Sequence, residues 1–171
     1  KKTRAAIFTH AYPDPDAIGS MMGMSWLLLK AFGLESDLFY SGEVSHPQNS
    51  VMVNLLDPGI KRFEEFRKDN YDLHILVDTI PDNAGVKCAI DFDVVVDHHR
   101  ELPHDFKGVL IHKKCGSASA IVYDMIKHII KKDDWFDGEI DGDTKVATAL
   151  IAGIVTDTEY MMSDDSTEFE F

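Results

Sequence analysis

At 171 residues the chain is long enough for one domain with a substantial core and too short for two full ones. Hydrophobic residues make up 44% and charged residues 27%, and no apolar run approaches the roughly 20 residues of a membrane span, which excludes a membrane-spanning helix. A formal net charge of −13 is unlike the basic balance usual in a domain that grips nucleic acid by its backbone, and such a chain repels phosphates unless cations held in a site reverse the sign locally.

The opening KKTRAAIF lacks an initiator Met and lacks the apolar stretch and cleavage site of a signal peptide. RAAIFTH (4–10) reads as a buried strand. Residues 17–32 follow as a helix, ended by Gly33. SDLFYS (36–41) is a second strand, and residues 46–56 form a short helix that stops at Asp57, Pro58 and Gly59. Residues 60–70 predict an amphipathic helix. LHILVD (73–78) and FDVVVDHH (92–99) are strands, and GVLIH (108–112) is a weaker one. Residues 117–131 and 144–154 predict helices. Between them lies the acidic DDWFDGEIDGD (133–143), a solvated loop that lacks the ligand order of a calcium loop. Strands separated by helices predict an α/β fold: three layers, with a mostly parallel sheet and helices on both faces. Cys88 and Cys115 make no paired framework, which points to a reducing, cytoplasmic setting.

In open α/β sheets, ligands bind outside the carboxyl ends of the strands. The first strand ends in His10 and runs on to Asp14 and Asp16. The next relevant strands end in Asp78 and in Asp97, His98 and His99. A fourth apolar segment, ALIAGIVTDT, delivers Asp157. Any one of these aspartates fits an ordinary turn. The ordered set HxxxDxD, D, DHH, D points instead to metal. Carboxylate and imidazole together suit Mn²⁺, Fe²⁺, Co²⁺ or Zn²⁺ better than Ca²⁺. Two ions about 3.5–4 Å apart, sharing a carboxylate, would use all these groups and clamp a phosphoryl group. Without cations, so many adjacent carboxylates resist ionising together. Gly116, Ser117 and Ser119 open a helix and fit equally a serine N-cap or a phosphate-receiving N-terminus. His112, Lys113 and Lys114 read as a solvated loop, and His74 as a satisfied core or edge histidine. His46, His104 and His128 read as surface residues. The methionines of GSMMGMSWLLL, with Trp26, read as core.

These motifs resemble the DHH phosphoesterase superfamily. HAYPDPDAIGS is similar to its HxNPDxDAxGS, with Tyr12 in place of the usual asparagine. VDT around Asp78, the DHH triplet at 97–99 and GIVTDT around Asp157 resemble its other motifs. GSASAIVYDMI (116–126) is similar to a helix of its oligoribonuclease and phosphoadenosine-phosphate phosphatase branch. The resemblance implies that residues 1–171 are the N-terminal DHH catalytic domain, with the family's C-terminal substrate-binding domain absent from this chain. It implies two Mn²⁺ ions, with Co²⁺ or Mg²⁺ as substitutes, held by His10, Asp14, Asp16, Asp78, His98 and Asp157. Asp78 would bridge, with His10 and Asp14 on one ion and Asp16 on the other, a split that Pro13 and Pro15 would help to fix. Asp97 would orient a ligand imidazole. His99 would contact phosphate or assist proton transfer, and Gly116, Ser117 and Ser119 would touch substrate. The catalytic group would then be Asp78, Asp97, His98 and His99. The implied reaction is attack of a metal-bridging hydroxide on a phosphodiester or phosphomonoester of a short oligonucleotide or 3′,5′-bisphosphonucleotide. One alternative is a phosphoanhydride hydrolase, as in family II inorganic pyrophosphatases or an exopolyphosphatase. Another is a metal- or nucleotide-binding regulatory module without turnover. A homodimer is compatible with all three.

Overall fold

The computed structural model describes residues 3–44, 46–85, 90–133, 144–163 and 166. Strands β1 (Arg4–Ala11), β2 (Glu35–Ser41), β3 (Lys61–Arg62), β4 (Leu73–Val77), β5 (Val94–Asp97) and β6 (Val109–His112) form one sheet in the order β3-β2-β1-β4-β5-β6. Every pairing is parallel. The helices are α1 (Pro15–Phe32), α2 (Pro47–Leu56), α3 (Ala118–Asp133) and α4 (Thr144–Asp157).

Side chains alternate between the faces of a strand, and the two faces of this sheet are covered differently. Ile7, Leu38, Ile75, Val77 and Val96 pack with residues of all four helices, among them Met21, Met52, Val122 and Leu150. Phe8, Phe39, Leu76 and Val95 face the other way, onto Phe63, Phe66, Tyr71 and Phe92. Right-handed crossovers explain the division. The chain steps through α1 and α2 to reach β2 and β3 on one side of β1. It then returns across the opposite face to reach β4, β5 and β6 on the other side. That return uses 3-10 turns (Phe63–Glu65, Lys68–Asn70, Pro81–Asn83) and loops. Three layers are present: among the described residues the four α-helices lie on one face, and 3-10 turns and loops cover the other.

The amphipathic helix expected over 60–70 is replaced by β3 and two of those turns. Phe63 and Phe66 are three residues apart, a spacing that suits a 3-10 turn as well as a helix. Both rings pack on Phe8, with centroids 6.1 and 5.0 Å away, while Lys61 and Arg62 pair with Phe39 and Tyr40 on β2. His74 is buried in the same aromatic cluster, but its Nε2 finds no hydrogen-bond partner among the described residues. Cys88 and residues 134–143 of the acidic segment lie outside the described residues. Among the described residues, no helix is long and apolar enough to cross a membrane.

Candidate metal centre

The first motif does two jobs at once. Asp14 is the N-cap of α1, and its Oδ1 accepts the Ala17 amide at 2.9 Å. Pro15 follows at the first helical position, where its missing N–H costs nothing. With Oδ1 so engaged, Asp14 Oδ2 stands 3.8 Å from His10 Nε2, at the end of β1. Asp16, in the first turn of α1, is fully buried beneath the start of α3. The amides of Ala118 and Ser119 donate to its two carboxylate oxygens at 2.6 and 2.8 Å.

Asp78 follows β4 directly and sits at a left-handed φ of 58°. Aspartate tolerates this region better than most residues, and such strain gathers at functional sites. Its Oδ2 lies 3.3 Å from His10 Nε2 and its Oδ1 lies 3.4 Å from His98 Nε2. Beyond His98 stand Asp157 Oδ2 at 3.3 Å and Asp16 Oδ2 at 3.9 Å. Asp78 therefore stands between two candidate ligand groups. His10, Asp14 and Asp78 form one, and Asp16, His98 and Asp157 form the other; a third grouping, Asp78, His98 and His99, overlaps both. In each group the donor atoms lie within 4.8 Å of one another.

The histidine tautomers test whether this pocket fits a metal. His10 Nδ1 donates to the Ala11 carbonyl at 2.8 Å, and His98 Nδ1 donates to the Cys115 carbonyl at 3.1 Å. A carbonyl only accepts, so each neutral ring turns its Nε2 lone pair toward the carboxylates. Lone pairs facing anions repel unless a cation lies between them. His98 Nε2 is indeed buried without a hydrogen-bond partner among the described residues. Two donors that each lie about 2.1 Å from a shared ion stand roughly 3–3.4 Å apart. The shorter separations around Asp78 and His98 match this, so the residues fit a pair of divalent ions.

The electrostatics agree. Burial disfavours a charged His10, yet the hydrogen bond and charge of Asp78 hold its imidazolium up to about 9. Burial likewise opposes charge on His98, but Asp78 and Asp16 hold its imidazolium up to about 10. Asp78 is itself buried, and the two imidazoles bring its carboxyl down to about 2. Burial and the charge of Asp78 push Asp157 up to about 6. Burial, Asp78 and Asp157 raise Asp16 well above the ordinary carboxylate range. Burial and Asp78 also raise Asp14. Protons are thus retained where cations would relieve the same repulsion.

The six expected ligands converge, although Asp157 arrives differently from the others. It is the last residue of α4 rather than a strand end, because the helix expected to stop at 154 continues through 157. His98 Nδ1 is held by the Cys115 carbonyl rather than by Asp97. The fully buried Asp97 accepts from His99 Nδ1 at 2.8 Å instead. His99 lines a cleft of about 760 Å³ above the centre, together with His10, Asp78 and Asp157. Gly116 also lines this cleft. Ser117 and Ser119 are fully buried and do not line it. Ser117 Oγ caps the Ala120 amide at 3.2 Å, and the α3 amides that could receive phosphate are taken by Asp16. Residues not singled out from the sequence also line the cleft, among them Asn83, Arg100 and Glu159. Lys114, read as part of a solvated loop, joins them. Arg100, Lys114 and Glu159 share one signal, a position just past a strand or helix end, while Asn83 closes a 3-10 turn.

A parallel sheet with His-Asp clusters at its carboxyl edge defines the class of α/β protein that holds metals beyond its strand ends. The profile of the DHH family, N-terminal domain, matches residues 4–154, and the chain belongs to that family. It is 29% identical over 166 residues to an uncharacterized protein of Methanocaldococcus jannaschii, covering 97% of this chain and 33% of that one. It is 26% identical over 165 residues to a probable manganese-dependent inorganic pyrophosphatase of Streptococcus agalactiae, covering 94% of this chain and 50% of the relative. A similar relative from Streptococcus thermophilus is 28% identical over 161 residues, with 92% and 49% covered. In fold, the chain matches the crystal structure of a Methanococcus jannaschii protein solved as a candidate family II inorganic pyrophosphatase. The TM-score is 0.69 at 19% identity, over 97% of this chain and 52% of that one. The chain thus spans about a third to a half of the length of these relatives.

Proposed function

We propose that this chain carries the metal centre of a manganese-dependent hydrolase acting on phosphate bonds, with a phosphoanhydride of the pyrophosphate type as substrate. One observation carries the two-ion part of this reading: Asp78 turns one oxygen to His10 and the other to His98, at 3.3 and 3.4 Å. The names of the streptococcal relatives support manganese and the anhydride. They favour it over the short oligonucleotides and bisphosphonucleotides that headed the sequence reading.

His10, Asp14 and Asp78 would hold one ion; Asp16, His98 and Asp157 would hold the other, with Asp78 shared. When bound, the ions supply Lewis-acid polarisation of phosphoryl oxygens and an acidified water. The remaining work falls to the protein. The α3 amides fix Asp16, and main-chain carbonyls fix the His10 and His98 rings. Asp97 holds His99 by Nδ1, which leaves Nε2 for the cleft. That hydrogen bond also raises the His99 imidazolium above its usual value. His99 Nε2–H therefore suits proton donation to a leaving phosphate oxygen.

The test is a side-by-side assay of the Mn²⁺-loaded protein on pyrophosphate and on a dinucleotide. Release of orthophosphate from pyrophosphate, with little cleavage of the dinucleotide, is expected. The reverse order overturns the anhydride reading, and turnover of neither favours a regulatory module.

A further inference from the structure

We propose that Arg100 and Lys114 seat a second phosphoryl group, the one not under attack, and so select substrates with two linked phosphates over single phosphate groups. This rests on the phosphate-hydrolase reading above and names the residues that would decide its substrate class.

The argument starts from charge. The chain carries a net −13, and carboxylates dominate the cleft lining, with Asp14, Asp157 and Glu159 among them. Among the described residues, Arg100 and Lys114 are the two arginine or lysine residues in that lining. Two divalent ions at the Asp78 centre would offset the aspartates on the β1 and β4 side. Among the described residues of the cleft lining, that side offers no arginine or lysine to meet the charge of a second phosphate.

Topology places the two cations on the other side, next to the histidines. Arg100 directly follows His99, beyond β5. Lys114 lies between β6 and α3, directly before Cys115, whose carbonyl holds His98. The two loops are stitched together: His112 Nε2 donates to the His99 carbonyl at 2.7 Å, and the Lys113 amide donates to the Asp97 carbonyl at 3.4 Å. Arg100 and Lys114 therefore flank His98 and His99 from two adjacent, mutually bonded loops. A phosphoryl group held between the ions and His99 would leave its linked neighbour to be met by another part of the cleft lining, and the β5–β6 rim is where that lining carries Arg100 and Lys114. Arginine's planar fork suits two phosphate oxygens at once, and lysine adds a compact charge. Both side chains are exposed, so replacing either leaves the core undisturbed.

The experiment is calorimetric titration of the Mn²⁺-loaded, full-length protein with imidodiphosphate, a non-hydrolysable diphosphate, and separately with orthophosphate. Wild type, Arg100→Gln and Lys114→Gln are compared, with metal content and melting curves recorded for each. Imidodiphosphate affinity should fall about tenfold or more in each variant, while orthophosphate affinity stays within about twofold and bound Mn²⁺ is unchanged. In steady state the same variants should raise KM for pyrophosphate more than they lower kcat. Unchanged imidodiphosphate affinity in both variants, or an equal loss for orthophosphate, overturns the proposal while leaving the hydrolase reading intact. A wild-type protein that takes up Mn²⁺ but does not bind imidodiphosphate overturns the anhydride reading, and this proposal with it.

Discussion

Asp16 and Ser119, separated by 103 residues, meet where a phosphate would otherwise dock: the Ser119 amide donates to Asp16 Oδ1 at 2.8 Å. The free N–H groups and positive end of α3 are thereby spent on a protein carboxylate. This explains how a fully buried aspartate is held in place, and why the glycine-serine start of α3 offers no hydroxyl to the cleft.

Asp16→Asn tests that arrangement. Asparagine keeps one acceptor, but its NH₂ opposes the second α3 amide. The half-site of Asp16, His98 and Asp157 should weaken while that of His10, Asp14 and Asp78 persists. Elemental analysis should find bound Mn²⁺ falling from two ions toward one. Two ions retained at wild-type affinity would remove Asp16 from the ligand set.

Gly153 faces the same point from α4. A Cβ built there would clash with Ser119 Oγ and lie 2.9 Å from Asp16 Oδ1. Gly153→Ala should therefore destabilise the fold by about 1–3 kcal/mol. Roughly 2–4 °C of melting temperature per kcal/mol is expected at this size. Mn²⁺ affinity should fall with it, because Asp16 must shift. An unchanged melting curve would mean that α1, α3 and α4 meet less closely than described.

Asp97→Asn addresses His99. The amide keeps the size of the side chain but weakens its hold on Nδ1–H. Activity should drop by about 10–100-fold, the usual scale for losing a group that orients a site residue. Bound Mn²⁺ should not change, because His98 takes its orientation from Cys115. Loss of metal in this variant would instead tie Asp97 to a ligand.

Asp37 gives a pH-dependent prediction away from the centre. Its side chain is 16% exposed and bonds to Arg4, Lys61 and Tyr71 at 2.8–2.9 Å. Burial pushes its carboxyl up, but Lys61, Tyr71 and Arg4 together bring it below its usual value. A lowered acid contributes stability above its unfolded value, about 3.9, and loses it as pH falls through the folded value. Asp37→Asn should thus melt lower than wild type at pH 7, and the gap should close below about pH 4. A gap that persists in acid would show that packing, rather than charge, holds this cluster.

Much of the centre was legible because chemistry and position coincided. His10, Asp14, Asp78 and His98 each stand at or just past the end of an apolar stretch, and strand ends of a parallel sheet share one edge. The misreadings have physical causes. Residues 60–70 carry apolar side chains three apart, a pattern shared by a helix and successive 3-10 turns, and the aromatic cluster on Phe8 decides between them. Main-chain partners leave no mark on a sequence. The Cys115 carbonyl on His98 and the α3 amides on Asp16 were therefore hidden, as was the choice of His99 as the ring that Asp97 holds. Arg100 and Lys114 needed the bonded β5 and β6 loops before both could be placed in the lining of one cleft.

The most direct test of the account is Mn²⁺ titration of wild type and Asp78→Ala, followed by calorimetry and native mass spectrometry. If the Asp78 carboxylate, which faces both His10 and His98, serves both ions as proposed, wild type should bind two ions, and Asp78→Ala should bind neither tightly. Pyrophosphate hydrolysis should be lost with them. A wild-type protein that binds one ion, or an Asp78→Ala variant that still binds two, would contradict the shared-carboxylate centre.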